Sequence, residues 1–178
     1  MVIGLLLRKG ALIEATTKYN DTPLHLAARN GHTGVVELLF GKGASIKAMD
    51  EDNNTVLHDA ARCGYTGVVE LLLGKGASIE ATCICNNFTP LHLAAWYGRT
   101  GVVELLLRKG ASTEPMDDDN NTPLHLAAKK GHTGVVELLL GKGASIEAMN
   151  KDDNTPWRLA EQNGHTGTMQ LLAATFCP

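Results

Sequence analysis

Histidine is the residue type in this chain with the widest chemical range, because its ring exchanges protons near neutral pH and binds metal ions. The seven histidines fall into two sets, each at a fixed place in a repeated pattern. The first set, which ends the motif Thr-Pro-Leu-His or Thr-Val-Leu-His, is His25, His58, His92 and His125, and the second, which follows a glycine, is His32, His132 and His165. Catalytic sites are local clusters of residues and are not periodic. The regular spacing therefore predicts that the histidines support a repeated structure.

Two short segments contain metal-ligand residue types at spacings that do not suit a metal site. Cys83 and Cys85 lie in one loop, with Cys63 one unit earlier, but structural thiolate sites use a Cys-x2-Cys spacing and four ligands. Residues 117–121, Asp-Asp-Asp-Asn-Asn, resemble the start of a calcium loop but lack the glycine at its sixth position and the glutamate at its twelfth. We interpret the first as a loop with unpaired thiols and the second as a solvated turn.

The sequence contains no recognisable nucleophile–base pair, phosphate-binding glycine loop or pair of catalytic carboxylates. A catalytic protein built from repeats would need a polar cluster that departs from the period and lies in a pocket, and no such cluster is visible. We therefore expect a protein that is not an enzyme, with no catalytic residues, no metal and no cofactor.

A repeated segment positions all of these residues. The motif Thr-Pro-Leu-His or its variant begins at five threonines separated by 33, 34, 33 and 33 residues, which are Thr22, Thr55, Thr89, Thr122 and Thr155. A fixed period of this length indicates a supersecondary unit that buries its apolar face only against its neighbours.

The stretch at residues 121–148 illustrates the predicted local structure of a unit. Thr122 is suited to cap a first helix, and Pro123 to occupy its first position, where no backbone N–H is needed. Gly131 is expected to end that helix in a left-handed conformation. Thr133 is expected to cap a second helix, which Gly141 closes. Each unit is therefore predicted to be a pair of antiparallel helices.

The full pattern of the units, from Asp-x4-Thr-Pro-Leu-His-Leu-Ala-Ala to Val-Val-x-Leu-Leu-Leu-x2-Gly-Ala, resembles the ankyrin repeat over essentially the whole chain. The resemblance implies an all-α solenoid of stacked antiparallel helix pairs with projecting β-hairpin fingers. It also implies that the histidines hydrogen-bond neighbouring loop backbone. It further implies that partners bind the fingertips and the concave face of the first helices.

The chain departs from the ankyrin pattern at two positions. The finger glycine before each threonine is replaced by Asn20, Asn53, Asn87, Asn120 and Asp153. Because Asn and Asp also adopt left-handed turn conformations, we expect the fingers to survive. The usual aspartate after Gly-Ala is replaced by serine in four units, at Ser45, Ser78, Ser112 and Ser145.

We expect one domain spanning residues 1–178. It comprises a partial N-terminal unit at 1–15, full units at 16–48, 49–81, 82–115 and 116–148, and a C-terminal capping unit with a polar outer face at 149–178. The partial unit supplies a second helix at Met1–Arg8 without the first helix that should pack beside it. Its apolar residues predict a monomer with weak self-association through this end.

The composition limits the classes of function. With 44% hydrophobic but 4% aromatic residues, the core must be aliphatic. The formal charge of −3 provides no basic surface, so nucleic acid is not an expected partner. Four cysteines at non-equivalent repeat positions do not form a disulfide framework, which favours a reducing intracellular, cytoplasmic location. No segment approaches transmembrane length, so a membrane is not expected either.

The residues that vary between units predict where a partner protein binds. The candidates lie at the fingertips and at the ends of first helices, and are Tyr19, Arg29, Glu51, Asp52, Arg62, Phe88, Trp96, Tyr97, Asp118, Asp119, Lys129 and Lys130. Four of the eight aromatic residues are among them, and three of those lie in the third unit. Aromatic residues within a polar rim are typical of interface hot spots. The alternative is that Phe88 and Trp96 only cover neighbouring repeats.

These observations favour a non-catalytic protein-interaction module. Acidic finger loops on either side of the aromatic residues predict a partner with basic residues around an apolar anchor. Two alternatives remain open at this stage. The chain is either a regulatory or targeting fragment of a larger ankyrin-containing enzyme, channel or effector, or a consensus-like, engineered scaffold without a natural partner.

Overall fold

The computed structural model describes residues 12–175 of the chain. Ten α-helices of seven to nine residues form five consecutive pairs in this range: α1 (Pro23–Arg29) with α2 (Thr33–Gly41), α3 (Val56–Cys63) with α4 (Thr66–Gly74), α5 (Pro90–Trp96) with α6 (Thr100–Arg108), α7 (Pro123–Lys130) with α8 (Thr133–Gly141), and α9 (Pro156–Gln162) with α10 (Thr166–Ala174). The helix expected at Met1–Arg8, and the self-association expected from it, lie outside the described residues.

The helices form two layers. The two helices of each pair pack against each other, each first helix packs against the first helices of the adjacent pairs, and the second helices do the same. Buried leucines, valines and alanines fill the space between the layers, and they include Leu57, Leu91 and Leu124. This arrangement confirms the predicted solenoid of helix pairs with an aliphatic core.

The first helices begin directly after their threonines, as predicted, and the expected bond from a backbone N–H to the threonine hydroxyl forms at Thr22, Thr89 and Thr155. Thr89 lies just before α5, and its hydroxyl accepts a hydrogen bond from the backbone N–H of His92 at 3.3 Å. Pro90 occupies the first turn, where its missing N–H leaves no partner unsatisfied. At the other end of the equivalent helix α7, Gly131 has a φ of 72°, which is the left-handed conformation that glycine adopts without strain.

The prediction that Thr133 caps the second helix is wrong. Helix α8 begins at Thr133 itself, and the capping position is occupied by His132, whose side chain makes no capping bond. The carbonyl of His132 accepts the N–H groups of Val135 and Val136 at 2.9 and 3.0 Å. The Thr133 hydroxyl instead lies 3.1 Å from the hydroxyl of Thr168 in the next unit, so it joins two units rather than ending a helix.

The loops that precede the first helices, at residues 16–22, 49–55, 82–89, 116–122 and 149–155, are called finger loops below. Asn20, Asn53, Asn87, Asn120 and Asp153 all have left-handed φ values, from 55° to 62°, as expected for residues in the place of glycine. Residues 12–175 contain no strand, and only an isolated antiparallel bridge joins Met49 and Thr55. The finger loops are thus turns, and the expected β-hairpins are not confirmed.

Neighbouring finger loops are joined by backbone hydrogen bonds. The donor and acceptor pairs are Glu51 with Tyr19 (3.0 Å), Ile84 with Asp52 (3.1 Å), Asp118 with Asn86 (3.1 Å), and Lys151 with Asp119 (2.9 Å). These bonds place the tips of consecutive loops side by side along the stack.

Within residues 12–175, no helix is long and apolar enough to cross a membrane.

Candidate functional site

Each histidine of the first set is buried and joins one unit to the next. The Nδ1 atom of His92 lies 3.1 Å from the Thr89 backbone nitrogen, whose N–H it can accept, and Nε2 lies 3.1 Å from the Asn121 carbonyl. The same arrangement links His58 to the Phe88 carbonyl at 3.0 Å. A ring that accepts at Nδ1 carries its proton on Nε2 and donates it to the carbonyl. These rings therefore connect adjacent finger loops by hydrogen bonds.

Burial lowers the pKa of His58, His92 and His125, although donation to the carbonyl of the next loop opposes that shift. These histidines are therefore neutral near pH 7. In the second set, His132 and His165 bond the carbonyls of Trp96 and Lys129 in the preceding unit, at 3.0 and 3.1 Å. The expectation that histidines bond neighbouring loop backbone is confirmed for the first set, whereas His132 and His165 bond carbonyls in the last turn of a neighbouring helix.

The first two units contain an ion-pair network centred on Arg29. Its Nη2 atom lies 2.7 Å from Asp21 Oδ1 and 2.9 Å from Asp59 Oδ2. Asp59 is only 1% exposed, and its other oxygen accepts from Arg62 at 2.7 Å. Burial opposes the charge on Arg29, but hydrogen bonds to Asp59 and Asp21 outweigh burial and raise the pKa of Arg29. The guanidinium groups of Arg29 and Arg62 are thus held in fixed positions.

Three buried carboxylates meet at this network. Oxygen atoms of Asp21, Asp50 and Asp59 all lie within 4.8 Å of one another, a spacing that could also surround a cation. The guanidinium of Arg29 donates to two of them and lies 3.9 Å from the third. Because Arg29 already supplies the positive charge, the geometry favours an ion-pair network over a metal site.

A cleft of about 170 Å³ opens above this network, between the first two finger loops. Its lining includes Asp21, Arg29 and Arg62. Glu51 and Asp52 line it as exposed residues, and Tyr19 also lines it with 49% of its surface exposed. Five of the twelve predicted binding residues therefore meet in one place: Tyr19, Arg29, Glu51, Asp52 and Arg62.

The aromatic residues of the third unit make separate contacts. Phe88 stacks on the buried ring of His92, with ring centroids 5.5 Å apart and planes 17° apart. Trp96 is half-buried, and the ammonium of Lys130 lies 3.9 Å from its ring centroid, with that of Lys129 at 5.9 Å. Tyr97, the next residue, is 43% exposed. Phe88 thus supports a structural histidine, whereas Trp96 and Tyr97 lie at the helix end with the two lysines.

Three overlapping segments of the chain, residues 2–83, 49–117 and 91–177, match the family of ankyrin repeats. The chain belongs to the ankyrin-repeat family. No curated protein matches it. The histidine bonds and the glycine-like turns described above are therefore those of ankyrin repeats.

The acidic loop of this ankyrin-repeat chain differs in part from the solvated turn that the sequence predicted. Asp117 is buried instead of solvated, and its Oδ1 accepts the backbone N–H groups of Asp119 and Asn121 at 2.9 and 2.7 Å. Only Asp118 and Asp119 of the acidic run are exposed, at the tip of the fourth finger loop. Asp117 therefore shapes the turn, and its two neighbours face solvent.

The cysteine loop of the third ankyrin repeat contains unpaired thiols, as predicted. Cys83 is buried and its Sγ donates to the Cys85 carbonyl at 3.1 Å, while Cys85 is exposed. Burial raises the pKa of Cys83, and a hydrogen bond with Asp52 raises the pKa of Cys85. Both groups are therefore protonated thiols at neutral pH, which are weak nucleophiles and weak metal ligands.

Sequence reasoning missed the three buried carboxylates of the network. A signal was present for Asp59, because it replaces the second leucine of Thr-Pro-Leu-His-Leu in that one repeat. An aspartate inside a helix that is otherwise buried predicts a cationic partner. The partner itself, Arg29, lies 30 residues earlier and is brought close only by stacking of the repeats.

Proposed function

We propose that this chain is a non-catalytic module that binds a partner protein through its finger loops and the concave face of its first helices. Ankyrin repeats are generally protein–protein interaction modules, and the family is typically non-catalytic. The observation that carries the proposal is that different residues hold the units together and face the solvent. The four Thr-x-Leu-His histidines are buried in bonds between units, while Tyr19, Tyr97, Glu51 and Asp52, which vary between units, are exposed.

The charges beside Tyr19 differ from those beside Trp96, so the two positions suit different chemical groups of one partner. Around the first cleft, carboxylates outnumber guanidinium groups, and the ring of Tyr19 already has the ammonium of Lys18 4.6 Å from its centroid. A partner lysine or arginine suits this cleft, because it would meet the exposed carboxylates of Glu51 and Asp52. The lysines beside Trp96 would repel such a group. We therefore propose that the basic residues of the partner face the first two units and its apolar anchor faces Trp96 and Tyr97.

Capture of proteins on the full chain tests the proposal. Quantitative mass spectrometry compares the proteins captured by three chains. They are the wild type, the aromatic double variant Trp96→Ala, Tyr97→Ala, and the control double variant Glu104→Ala, Glu137→Ala. The control residues are exposed on second helices, away from the proposed surface. A genuine partner is retained by wild type and control and is lost from the aromatic variant. Equal retention by all three chains would contradict the proposed surface.

The dependence of association on salt tests the charge of the partner separately. Attraction between the acidic cleft and a basic partner accelerates encounter, and salt screens it. The association rate constant of a captured partner should fall with added salt, while its dissociation rate constant changes little. An association rate that does not respond to salt would rule out the basic partner but not the aromatic anchor.

The free thiols are compatible with an intracellular, cytoplasmic role. Cys63, Cys83 and Cys85 are unpaired. Unpaired cysteines persist in reducing compartments and are rare in secreted proteins. Fusion of the chain to a fluorescent protein and imaging in cells would test the location.

A further inference from the structure

The loops that follow the second helices are tied together by a glutamate in one unit and a serine in the next. The carboxylate of the glutamate accepts the backbone N–H of the serine. The three pairs, with their distances, are Glu14 and Ser45 (2.8 Å), Glu80 and Ser112 (2.8 Å), and Glu114 and Ser145 (3.0 Å). At each of these three junctions, one carboxylate therefore binds this N–H group.

One junction lacks its carboxylate. Lys47 occupies the position of Glu80 one repeat earlier, and Ser78 is the serine that would receive the bond. An ammonium group has no acceptor atom and cannot bond an N–H. Within residues 12–175, the Ser78 N–H finds no acceptor in the protein, and this residue is exposed. The junction between the second and third units therefore presents the Ser78 N–H and the Lys47 ammonium, whereas the other three junctions contain a hydrogen bond from a serine N–H to a glutamate carboxylate.

A cleft of about 340 Å³ opens at this junction. Its lining includes Ile46, Lys47, Met49, Ala77, Ser78 and Ala81. Lys47 alone is charged among the described residues that line it, and Met49 is 44% exposed. The cleft thus combines one positive charge and one free N–H with an apolar wall.

We infer that this cleft binds the carboxylate of an acidic residue that lies beside an apolar residue in a partner peptide. The carboxylate accepts the Ser78 N–H, as Glu80 accepts the N–H of Ser112, and pairs with the Lys47 ammonium. A charged acceptor makes this bond stronger than a neutral one. The neighbouring apolar side chain of the peptide packs on Met49 and Ile46. The site involves neither Trp96 nor the cleft beside Tyr19, so it stands or falls independently of the surface proposed above.

Two-dimensional NMR of the full chain tests this assignment with the dipeptide acetyl-Glu-Leu-amide as the probe. We expect the Ser78 amide proton to move downfield on titration and to saturate, with smaller shifts in the methyl groups of Met49 and Ile46. The uncharged probe acetyl-Gln-Leu-amide should bind about tenfold more weakly, since it loses the charge-assisted bond and the pairing with Lys47. Equal shifts with both probes, or a Ser78 amide that does not move, would overturn the assignment.

Two variants locate the binding. Lys47→Glu restores the glutamate found at the other junctions, so the Ser78 amide should lie downfield without any probe and should no longer respond to it. Lys142→Glu makes the same change of charge at an exposed position of the fourth unit and should leave the titration unchanged. If Lys142→Glu abolishes the response as fully as Lys47→Glu, the effect is one of net charge and the site is wrong. If the Ser78 amide of Lys47→Glu resembles wild type, the analogy with the other junctions fails.

Discussion

The last turn of the first helix holds different residues in the two halves of the molecule. In the first two units it holds Arg29 and Arg62, which are fixed by buried carboxylates. In the third and fourth units it holds Trp96 and Lys129, and the ammonium groups of Lys129 and Lys130 lie 5.9 and 3.9 Å from the centroid of the half-buried indole. The same backbone position therefore stabilises the fold in one half and, in our proposal, contacts a partner in the other. A repeat fold permits this because its scaffold bonds are made elsewhere.

The largest expected effect comes from removing the central cation of the first half. Arg29→Met keeps much of the side-chain volume but leaves Asp21 without its ion pair and Asp59 with only Arg62. Because buried carboxylates are costly without a cation, the free energy of unfolding in urea should fall by about 3 kcal/mol.

The matched control is Arg108→Met, which removes an arginine that is 64% exposed and 4.0 Å from Glu70. A pair at the surface contributes little, so this change should cost less than about 1 kcal/mol. If the two variants lose equal stability, the first half is not held by its ion-pair network, and the contrast between the halves disappears.

The second effect concerns the other half and is measured in binding. Trp96→Ala should weaken the binding of a captured partner by about 2 kcal/mol, or about thirtyfold in Kd, because central aromatic residues contribute most to interfaces. Lys151→Ala, at an exposed finger-loop tip, should change Kd little. Calorimetric titration measures both. A larger loss from Lys151→Ala would reverse the assigned roles.

The third prediction tests whether the histidine bonds are common to both halves. Burial holds the folded-state pKa of His58 and His125 below the unfolded value of about 6.5. As pH falls below about 6.5, the unfolded chain binds protons that these buried rings do not, so stability is complete above that pH and is lost below it. Each histidine contributes a slope of up to about 1.4 kcal/mol per pH unit.

Urea unfolding of wild type, His58→Gln and His125→Gln between about pH 7.5 and about pH 5.5 measures this slope. Both variants should show a shallower loss of stability in acid, by similar amounts, because the rings occupy equivalent sites in the two halves. A slope that changes in only one of them would mean that the scaffold itself differs between the halves.

The smallest effect is expected at the lysine that covers Trp96. Lys130→Met removes an ammonium 3.9 Å from the indole centroid, and should lower the free energy of unfolding by about 0.5 kcal/mol. Lys142→Met, at an exposed lysine away from any described aromatic ring, is the control and should have no measurable effect. Identical results for the two variants would show that Lys130 leaves the indole fully available.

Much of the scaffold could be predicted from the sequence. The period located the helices, Thr89 and Pro90 predicted a helix start, and Asn120 predicted a left-handed turn, because each depends on neighbours within a few residues. Thr133 was assigned wrongly because a threonine near a helix start can be either the capping residue or the first residue of the helix, and the sequence does not distinguish the two. Its hydroxyl lies beside the hydroxyl of Thr168 in the next unit, a contact that depends on how the units stack. The binding residues remain a prediction, since periodicity identifies positions that vary but not what they contact.

By itself the sequence determined the family, the helix pairs, the aliphatic core and the supporting role of the histidines, since these follow from local chemistry repeated at a fixed interval. Only the tertiary structure decided which residues meet across units. Arg29 reaches Asp59, Phe88 stacks on a ring that also bonds the next loop, and among residues 12–175 the Ser78 N–H has no acceptor where Lys47 replaces the glutamate. Contacts of this kind depend on how one repeat is rotated and shifted on the next, and that geometry is set by the packing of both layers at once.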